Sequence, residues 1–133
     1  MAFNGIAQYD HVVNAKTVAH DGTYLSDWQD CVTGFSFTVF LKQVSAAGTP
    51  AHTYTLHVSP YPYQYLRDLV TSGTDSTLYY VSQDIVAALT TESTLIRYAP
   101  NNFSTPCMSY RILVTGGGAA EDTVSDVFIV RFS

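Results

Sequence analysis

Four histidines are the first residues that could do chemistry in this chain. Two of them neighbour an aspartate, at residues 10–11 and 20–21, and such pairs can bind a metal or transfer a proton. His52 and His57 are an odd number of residues apart, which places them on opposite faces of a strand. No known metal-ligand spacing is present. We therefore expect solvated histidines at strand edges and no metal site.

Cysteine, serine and glycine patterns give no stronger indication of chemistry. Cys31 and Cys107 are the only cysteines. A disulfide between them is possible, but without a secretory leader we expect buried thiols. No serine lies in a Gly-x-Ser-x-Gly elbow, and no pair of acids carries a glycosidase motif. The glycine run at 116–118 lacks the lysine of a phosphate-binding loop. We expect no catalytic residues and no cofactor.

Alternating tyrosines in segment 61–65 are the best binding candidates. On a segment stiffened by proline they could fill a pocket on a partner protein or fold back over one end of the domain. They could also stack on sugar rings together with Trp28. We favour a protein interface, because Tyr and Arg are enriched in hot spots and sugar-binding carboxylates are scarce nearby. The predicted interface residues are Tyr61, Tyr63, Tyr65 and Arg67.

The N-terminal segment is apolar at every third position, at Phe3, Ile6 and Tyr9. A terminal segment has little reason to be apolar unless it packs on something. We expect residues 1–11 to form an arm that contacts a neighbouring subunit. Residues 12–133 would then form the folded domain.

The remaining pattern has a period of two, which predicts strands. Apolar and polar residues alternate over 35–41 and 52–58, and we expect these strands to form a hairpin. A second hairpin is predicted between 108–115 and 123–132, with the glycine-rich segment 116–122 as its turn.

Further strands are expected at 12–19, 77–86 and 93–99. Segment 82–91 also has a helical spacing of apolar residues, so we expect at most a short helix there. Two prolines make 60–76 a long exposed excursion. Together these elements predict an all-β fold, a single antiparallel β-sandwich of about six to eight strands with little helix.

Composition limits the possible partners. The chain has 133 residues and 47% are hydrophobic, enough for one core. Only 13% are charged, against about 25% in a typical domain, and 28 positions are Ser or Thr. This suits a protein whose faces meet other subunits, although a secreted β-domain could share it. The net charge of −5 argues against nucleic acid. No apolar run reaches the ~18 residues of a membrane span.

Several strand phrases carry a resemblance to a known group of proteins. They are Asp30–Phe40, Tyr54–Ser59, Ser104–Gly118 and Asp122–Ile129. Over residues 30–118 and 122–132 the chain resembles small β-sandwich virion structural proteins of tailed bacteriophages. It departs from that pattern in the Tyr- and Pro-rich middle segment. Such proteins act as capsid decoration or cement subunits, or as neck or tail components.

The resemblance and the low charge lead to one functional hypothesis. We expect a non-enzymatic structural protein of a virion, most closely a capsid decoration or cement subunit, assembled in the host cytoplasm. Its partners would be the major capsid protein or other virion proteins and further copies of itself, forming a homo-oligomer. A neck or tail subunit is the nearest variant. A carbohydrate-binding β-sandwich module is the alternative from another class.

Overall fold

A computed structural model describes residues 7–31, 36–98 and 108–132 of the chain. Within these ranges there are nine strands and one helix. In chain order the elements are β1 (Ala7–Val18), β2 (Thr23–Leu25), β3 (Gln29–Asp30), β4 (Ser36–Val44), β5 (His52–Ser59), α1 (Tyr63–Thr71), β6 (Val81–Leu89), β7 (Ile96–Tyr98), β8 (Ser109–Thr115) and β9 (Thr123–Phe132).

The strands form two antiparallel sheets. Sheet A has the order β1-β9-β4-β7, and sheet B has the order β2-β8-β5-β6. The short strand β3 also pairs with β8, further along the same edge as β2, so the two act as one interrupted strand. Two facing four-stranded sheets in this order are a jelly roll. The predicted antiparallel β-sandwich with little helix is therefore confirmed.

The core lies between the two sheets. Sheet A contributes Val39, Leu41 and Ile129, and sheet B contributes Leu56 and Ile112, all at most 1% exposed. These side chains come from alternate positions of their strands, as the period of two predicts. The alternation seen in the sequence therefore identifies the inward face of β4, β5 and β8 correctly.

Both predicted hairpins are wrong. β4 pairs with β7 and β9, whereas β5 pairs with β6 and β8. Consecutive strands β4 and β5 thus lie in opposite sheets, and so do β8 and β9. Alternation shows which residues of a strand face inward, but it does not say which strand lies alongside.

The two connections that we expected to be hairpin turns are arches between the sheets, and they lie side by side. The Glu121 amide donates to the carbonyl of Ala47 at 2.8 Å, and the Ala51 amide donates to the carbonyl of Gly117 at 3.2 Å. Each arch therefore supplies the backbone partners that the other lacks, as buried polar groups require.

The single helix of the described residues lies where we expected an exposed excursion. Segment 82–91, where we expected at most a short helix, is mostly strand β6, and α1 lies inside the predicted excursion 60–76. Pro62 is the N-cap of α1, and Gly73, with φ of +73°, follows its C-terminus. Proline before a nine-residue helix and glycine after it are start and stop signals that we had taken for loop composition.

The N-terminal strand overlaps the expected arm. β1 begins at Ala7, and its first residues pair with β9 from Ala7 opposite Phe132 to His11 opposite Phe128. Phe3 and Ile6 lie outside the described residues. The arm of residues 1–11 and its contact with a neighbouring subunit stay predictions.

Candidate functional site

The tyrosines of segment 61–65 point to two different places. Tyr61 and Tyr65 are 38% and 45% exposed and meet Tyr79, which precedes β6. The ring centroids of Tyr61 and Tyr65 are 5.3 Å apart, and the Tyr79 ring meets both edge-on at 5.7 and 6.1 Å. We call these three residues the tyrosine cluster. It offers a rigid aromatic surface at low entropic cost to a partner.

Tyr63 lies apart from the tyrosine cluster. It is half-buried, and the guanidinium of Arg67, one helical turn later, lies 6.0 Å from its ring centroid. Both side chains face the segment that joins β2 to β3. Trp28 in that segment is only 4% exposed. The open stacking platform of Trp28 with three tyrosines, which a carbohydrate-binding module would need, is therefore not formed.

A buried arginine organises the outer face of sheet B. Arg111 on β8 is 1% exposed, and its Nε donates to Nδ1 of His57 on β5 at 2.9 Å. Its Nη2 donates to Oδ2 of Asp75 at 2.9 Å. The guanidinium carbon lies 4.3 Å from the centroid of the Trp28 ring and 4.8 Å from that of Tyr80. Charge pairing and cation–π contacts thus replace the water that this arginine lost.

We call Arg111 and the four residues that it contacts the Arg111 cluster: His57, Asp75, Trp28 and Tyr80. This cluster ties the connection between β5 and β6 to the sheet. Serine hydroxyls support both ends of that connection, because Ser109 donates to the carbonyl of Tyr61 and Ser59 donates to the carbonyl of Tyr79, each at 2.7 Å. Leu66 of α1 is fully buried. The outer face of sheet B is therefore covered over β5 and β8 by the chain's own helix and loops.

This cover explains why the prediction of solvated histidines is wrong for two of the four. His57 is 4% exposed, and its ring stacks on Tyr80 at 4.2 Å. His52 is fully buried on the inward face, and its Nε2 lies 2.8 Å from the carbonyl oxygen of Val18. Strand β5 lies inside sheet B and is covered on both faces, which the sequence did not reveal. His20 is exposed, as predicted.

Acid is expected to weaken the fold through His57. Burial and the neighbouring charge of Arg111 lower the pKa of His57 from 6.5 to about 4, against an opposing effect of Asp75. The unfolded chain then binds more protons than the folded one between these values. Stability is fully present above about pH 6.5 and is lost as the pH falls toward 4, by at most ~1.4 kcal/mol per pH unit for one proton.

Urea unfolding between pH 7 and pH 4.5 measures this effect. His57→Asn keeps a side-chain acceptor for Arg111 but cannot titrate, so its stability should fall less steeply over that range. His20→Asn, a change at an exposed histidine, should keep the slope of the parent chain. Equal slopes for all three proteins would contradict the role of His57.

Within residues 7–31, 36–98 and 108–132, nothing comparable covers the outer face of sheet A. Tyr9 on β1 is 63% exposed and stacks on Phe128 of β9 at 5.7 Å. Phe40 of β4 lies directly opposite Phe128 in the sheet. A shallow concavity of about 270 Å³ has only apolar and aromatic side chains around it, and we call these residues the sheet A patch: Tyr9, Phe40, Leu95, Phe128 and Val130.

Strand β9 is the reason that this face is apolar. Its odd positions include the buried Val127 and Ile129, while its even positions place Phe128 and Val130 on the outward face. Asp126 is the polar exception, and its Oδ1 lies 2.8 Å from Nε2 of His11. A strand that is apolar on both faces, next to an edge strand, buries one face in the core and presents the other to a partner.

The chain shares its fold with virus particle proteins. A chain in the structure of the infectious bursal disease virus Gx strain superposes with a TM-score of 0.61 at 10% sequence identity, over 98% of this chain and 32% of that chain. The infectious bursal disease virus VP2 subviral particle gives 0.59 at 10% identity, over 97% and 32%. The T13 particle of the same virus gives 0.57 at 11%, over 97% and 31%.

Our chain spans about a third of the length of the solved chains that it matches. No family model matches the sequence, and no curated protein matches it. At these identities the likeness concerns the fold, which the strand order shows independently.

Within the described ranges, no three His, Cys, Asp or Glu residues form a group that could hold a metal ion. No helix there is long and apolar enough to cross a membrane. Cys31 is buried, and Cys107 lies outside the described residues, so the predicted state of the two thiols stays a prediction.

Sequence reasoning missed the Arg111 cluster and most of the sheet A patch. Tyr9 is the one patch residue among the predicted interface residues. A signal for the patch was present, because Phe128 and Val130 alternate with the equally apolar Val127 and Ile129. The Arg111 cluster had no such signal, since its members come from four separate stretches of chain.

Proposed function

We propose that this chain is a non-enzymatic structural subunit of a virus particle, and that the sheet A patch is the surface on which it meets a second copy of itself. The observation that carries the proposal is the contrast between the two outer faces. Among the described residues, the chain's own helix and loops cover sheet B over β5 and β8, whereas the outer face of β1, β9 and β4 presents a cluster of aromatic and aliphatic side chains. The jelly-roll fold, shared with virus particle chains, supports the same conclusion.

The chemistry of the patch favours a second copy as its occupant. Among the described residues, no charged side chain lines the concavity. Two identical patches can therefore face each other about a two-fold axis without like-charge repulsion. Aromatic residues at the centre are the type enriched in interface cores, and the low charge of the whole chain fits a subunit with several neighbours.

The other predicted contact residues extend this proposal. The tyrosine cluster lies on the sheet B side, so it would meet a different neighbour from the one on the sheet A patch. Phe3 and Ile6 would reach a neighbour from the N-terminal arm. A subunit inside a shell is contacted from more than one side, which suits two separate surfaces and an arm.

At a finer level, the hypothesis is a decoration or cement subunit on the capsid of a tailed bacteriophage. What supports it is the resemblance of the strand phrases over residues 30–118 and 122–132. Its partner would then be the major capsid protein, and its location the virion. A neck or tail subunit remains the variant. The matched particle structures support only the coarser proposal of a virus particle subunit.

Charge placed on the sheet A patch is expected to abolish self-association. Tyr9→Glu with Leu95→Glu changes two side chains that are 63% and 55% exposed, so the fold should tolerate both. Burying two carboxylates in an apolar contact should weaken association by 100-fold or more. Sedimentation velocity over a concentration series measures the self-association of both proteins.

The matched control places the same charges elsewhere. Leu78→Glu with Val81→Glu changes apolar residues that are 85% and 66% exposed and lie outside the patch. This variant should associate like the parent chain. A parent chain that stays monomeric at high micromolar concentration would contradict contact between copies. Loss of association in the control alone would move the contact to the edge of sheet B.

A further inference from the structure

A polar cleft separates α1 from the segment that joins β2 to β3. One part of it, about 340 Å³, is lined by Asp27, Trp28, Gln29, Asp30, Tyr63 and Arg67. An adjoining part of about 230 Å³ shares three of these residues and extends toward Leu25 and Val70. We propose that this cleft binds a neutral, hydroxyl-rich ligand, a carbohydrate.

The side chains of the cleft have the chemistry of a sugar site. The carboxylate of Asp27 accepts hydrogen bonds, the amide of Gln29 both donates and accepts them, and the guanidinium of Arg67 donates them. A sugar hydroxyl both donates and accepts, so it can use all of them. The ring of Tyr63 offers an aromatic surface to the C–H face of a sugar. In the sequence, carboxylates are scarce near the tyrosines, and the fold adds Asp27 from a distant stretch.

Charge balance selects a neutral ligand. Across its two parts the cleft has two carboxylates, of Asp27 and Asp30, and two guanidiniums, of Arg67 and Arg111, in its wall. These charges sum to zero, so the net charge of the wall favours neither an anion nor a cation. Among the described residues no carboxylate lies within ion-pair distance of Arg67, so its donors are available to a ligand.

Size and polarity agree with this ligand class. The larger part of the cleft is at the lower end of the ~300–1,000 Å³ range of ligand sites. Sites for drug-like molecules are mostly apolar, whereas this wall is mostly polar. The adjoining part, with Leu25 and Val70 exposed beside it, leaves room for a second sugar unit.

The wall of the cleft is held in place by the Arg111 cluster. Trp28 packs on the guanidinium of Arg111, which in turn binds Asp75 after α1. The two sides of the cleft are therefore joined through one buried residue. A site preformed in this way loses less entropy when a ligand binds.

The test is a glycan array with the full chain, followed by NMR titration with neutral mono- and disaccharides at millimolar concentration. Tyr63→Ala and Asp27→Ala should each raise the dissociation constant for a neutral glycan by tenfold or more. The matched controls are Tyr65→Ala, in the tyrosine cluster, and Asp21→Ala, on an exposed residue outside the cleft. Both should bind like the parent chain.

Three results would overturn the proposal: no neutral glycan binds, only anionic glycans bind, or binding survives both cleft changes. Thermal unfolding of each variant checks that the fold is retained. The outcome is separate from the proposed assembly function. Cleft variants should associate normally, and the charged variants of the sheet A patch should still bind the glycan.

Discussion

Replacing Gly116 by alanine is expected to destabilise the fold by about 3 kcal/mol or more. A β-carbon at this position would lie 1.9 Å from the carbonyl oxygen of Ala19 and 2.9 Å from that of Gly22. Both are backbone atoms. The Gly116 amide also donates to the Gly22 carbonyl at 2.8 Å, so the two segments cannot separate without losing that bond.

Two other glycines serve as matched controls for Gly116→Ala. At Gly22 the nearest atoms to an added β-carbon are 3.6 Å away, which is an ordinary contact, so Gly22→Ala should change stability by less than about 1 kcal/mol. Gly73 has open space but a φ of +73°, and Gly73→Ala should cost only the backbone strain of about 1–2 kcal/mol. Urea denaturation measures the free energy of unfolding of all three variants. A tolerated Gly116→Ala would mean that the connection between β1 and β2 does not pack against Gly116 as described.

The glycine run shows what a sequence can and cannot tell about a connection. Three consecutive glycines predict a tight chain path, and the structure has one. Only Gly118 has a positive φ. Gly116 and Gly117 are required because other backbone passes close by, including the Ala51 carbonyl at 2.4 Å from a β-carbon at 117. That neighbouring backbone belongs to other segments, so local composition could not distinguish an arch from a hairpin.

The candidate site was predictable only in part for a similar reason. Tyr61 and Tyr65 were singled out because their spacing is local, and they do lie together. Asp27 and Gln29 are more than thirty positions from Tyr63 in the sequence, and only the pairing of β2, β3 and β5 with β8 brings them near α1. Residue types indicated a binding surface, while the fold decided which residues share it.

Removal of the Arg111 side chain is the second large effect expected. Arg111→Ala should destabilise the fold by about 3–5 kcal/mol, because it leaves Asp75 without its cation and His57 without its donor. The stacking of the guanidinium on Trp28 and Tyr80 is lost as well. Arg97→Ala, an arginine exposed on β7, is the matched control and should cost less than about 0.5 kcal/mol.

Arg111→Lys separates charge from geometry. Lysine keeps the positive charge for Asp75, but it cannot bind His57 and stack on two rings at once. Its stability should therefore lie between that of the parent chain and that of Arg111→Ala. A lysine variant as stable as the parent would show that charge alone matters. One as unstable as the alanine variant would show that the stacking and the bond to His57 carry the effect.

The location of the local destabilisation in the variant tests the structural role of Arg111. The arginine ties the connection between β5 and β6 to sheet B, and its side chain lies on the outer face of that sheet, the face turned away from sheet A. Hydrogen exchange of the Arg111→Lys variant should therefore speed up first over residues 60–80, with β1 and β9 still protected. The same variant should bind a cleft ligand more weakly, since both walls of the cleft are joined through Arg111. Uniform loss of protection across both sheets would contradict this, because it would make Arg111 a general core residue instead of the anchor of one connection.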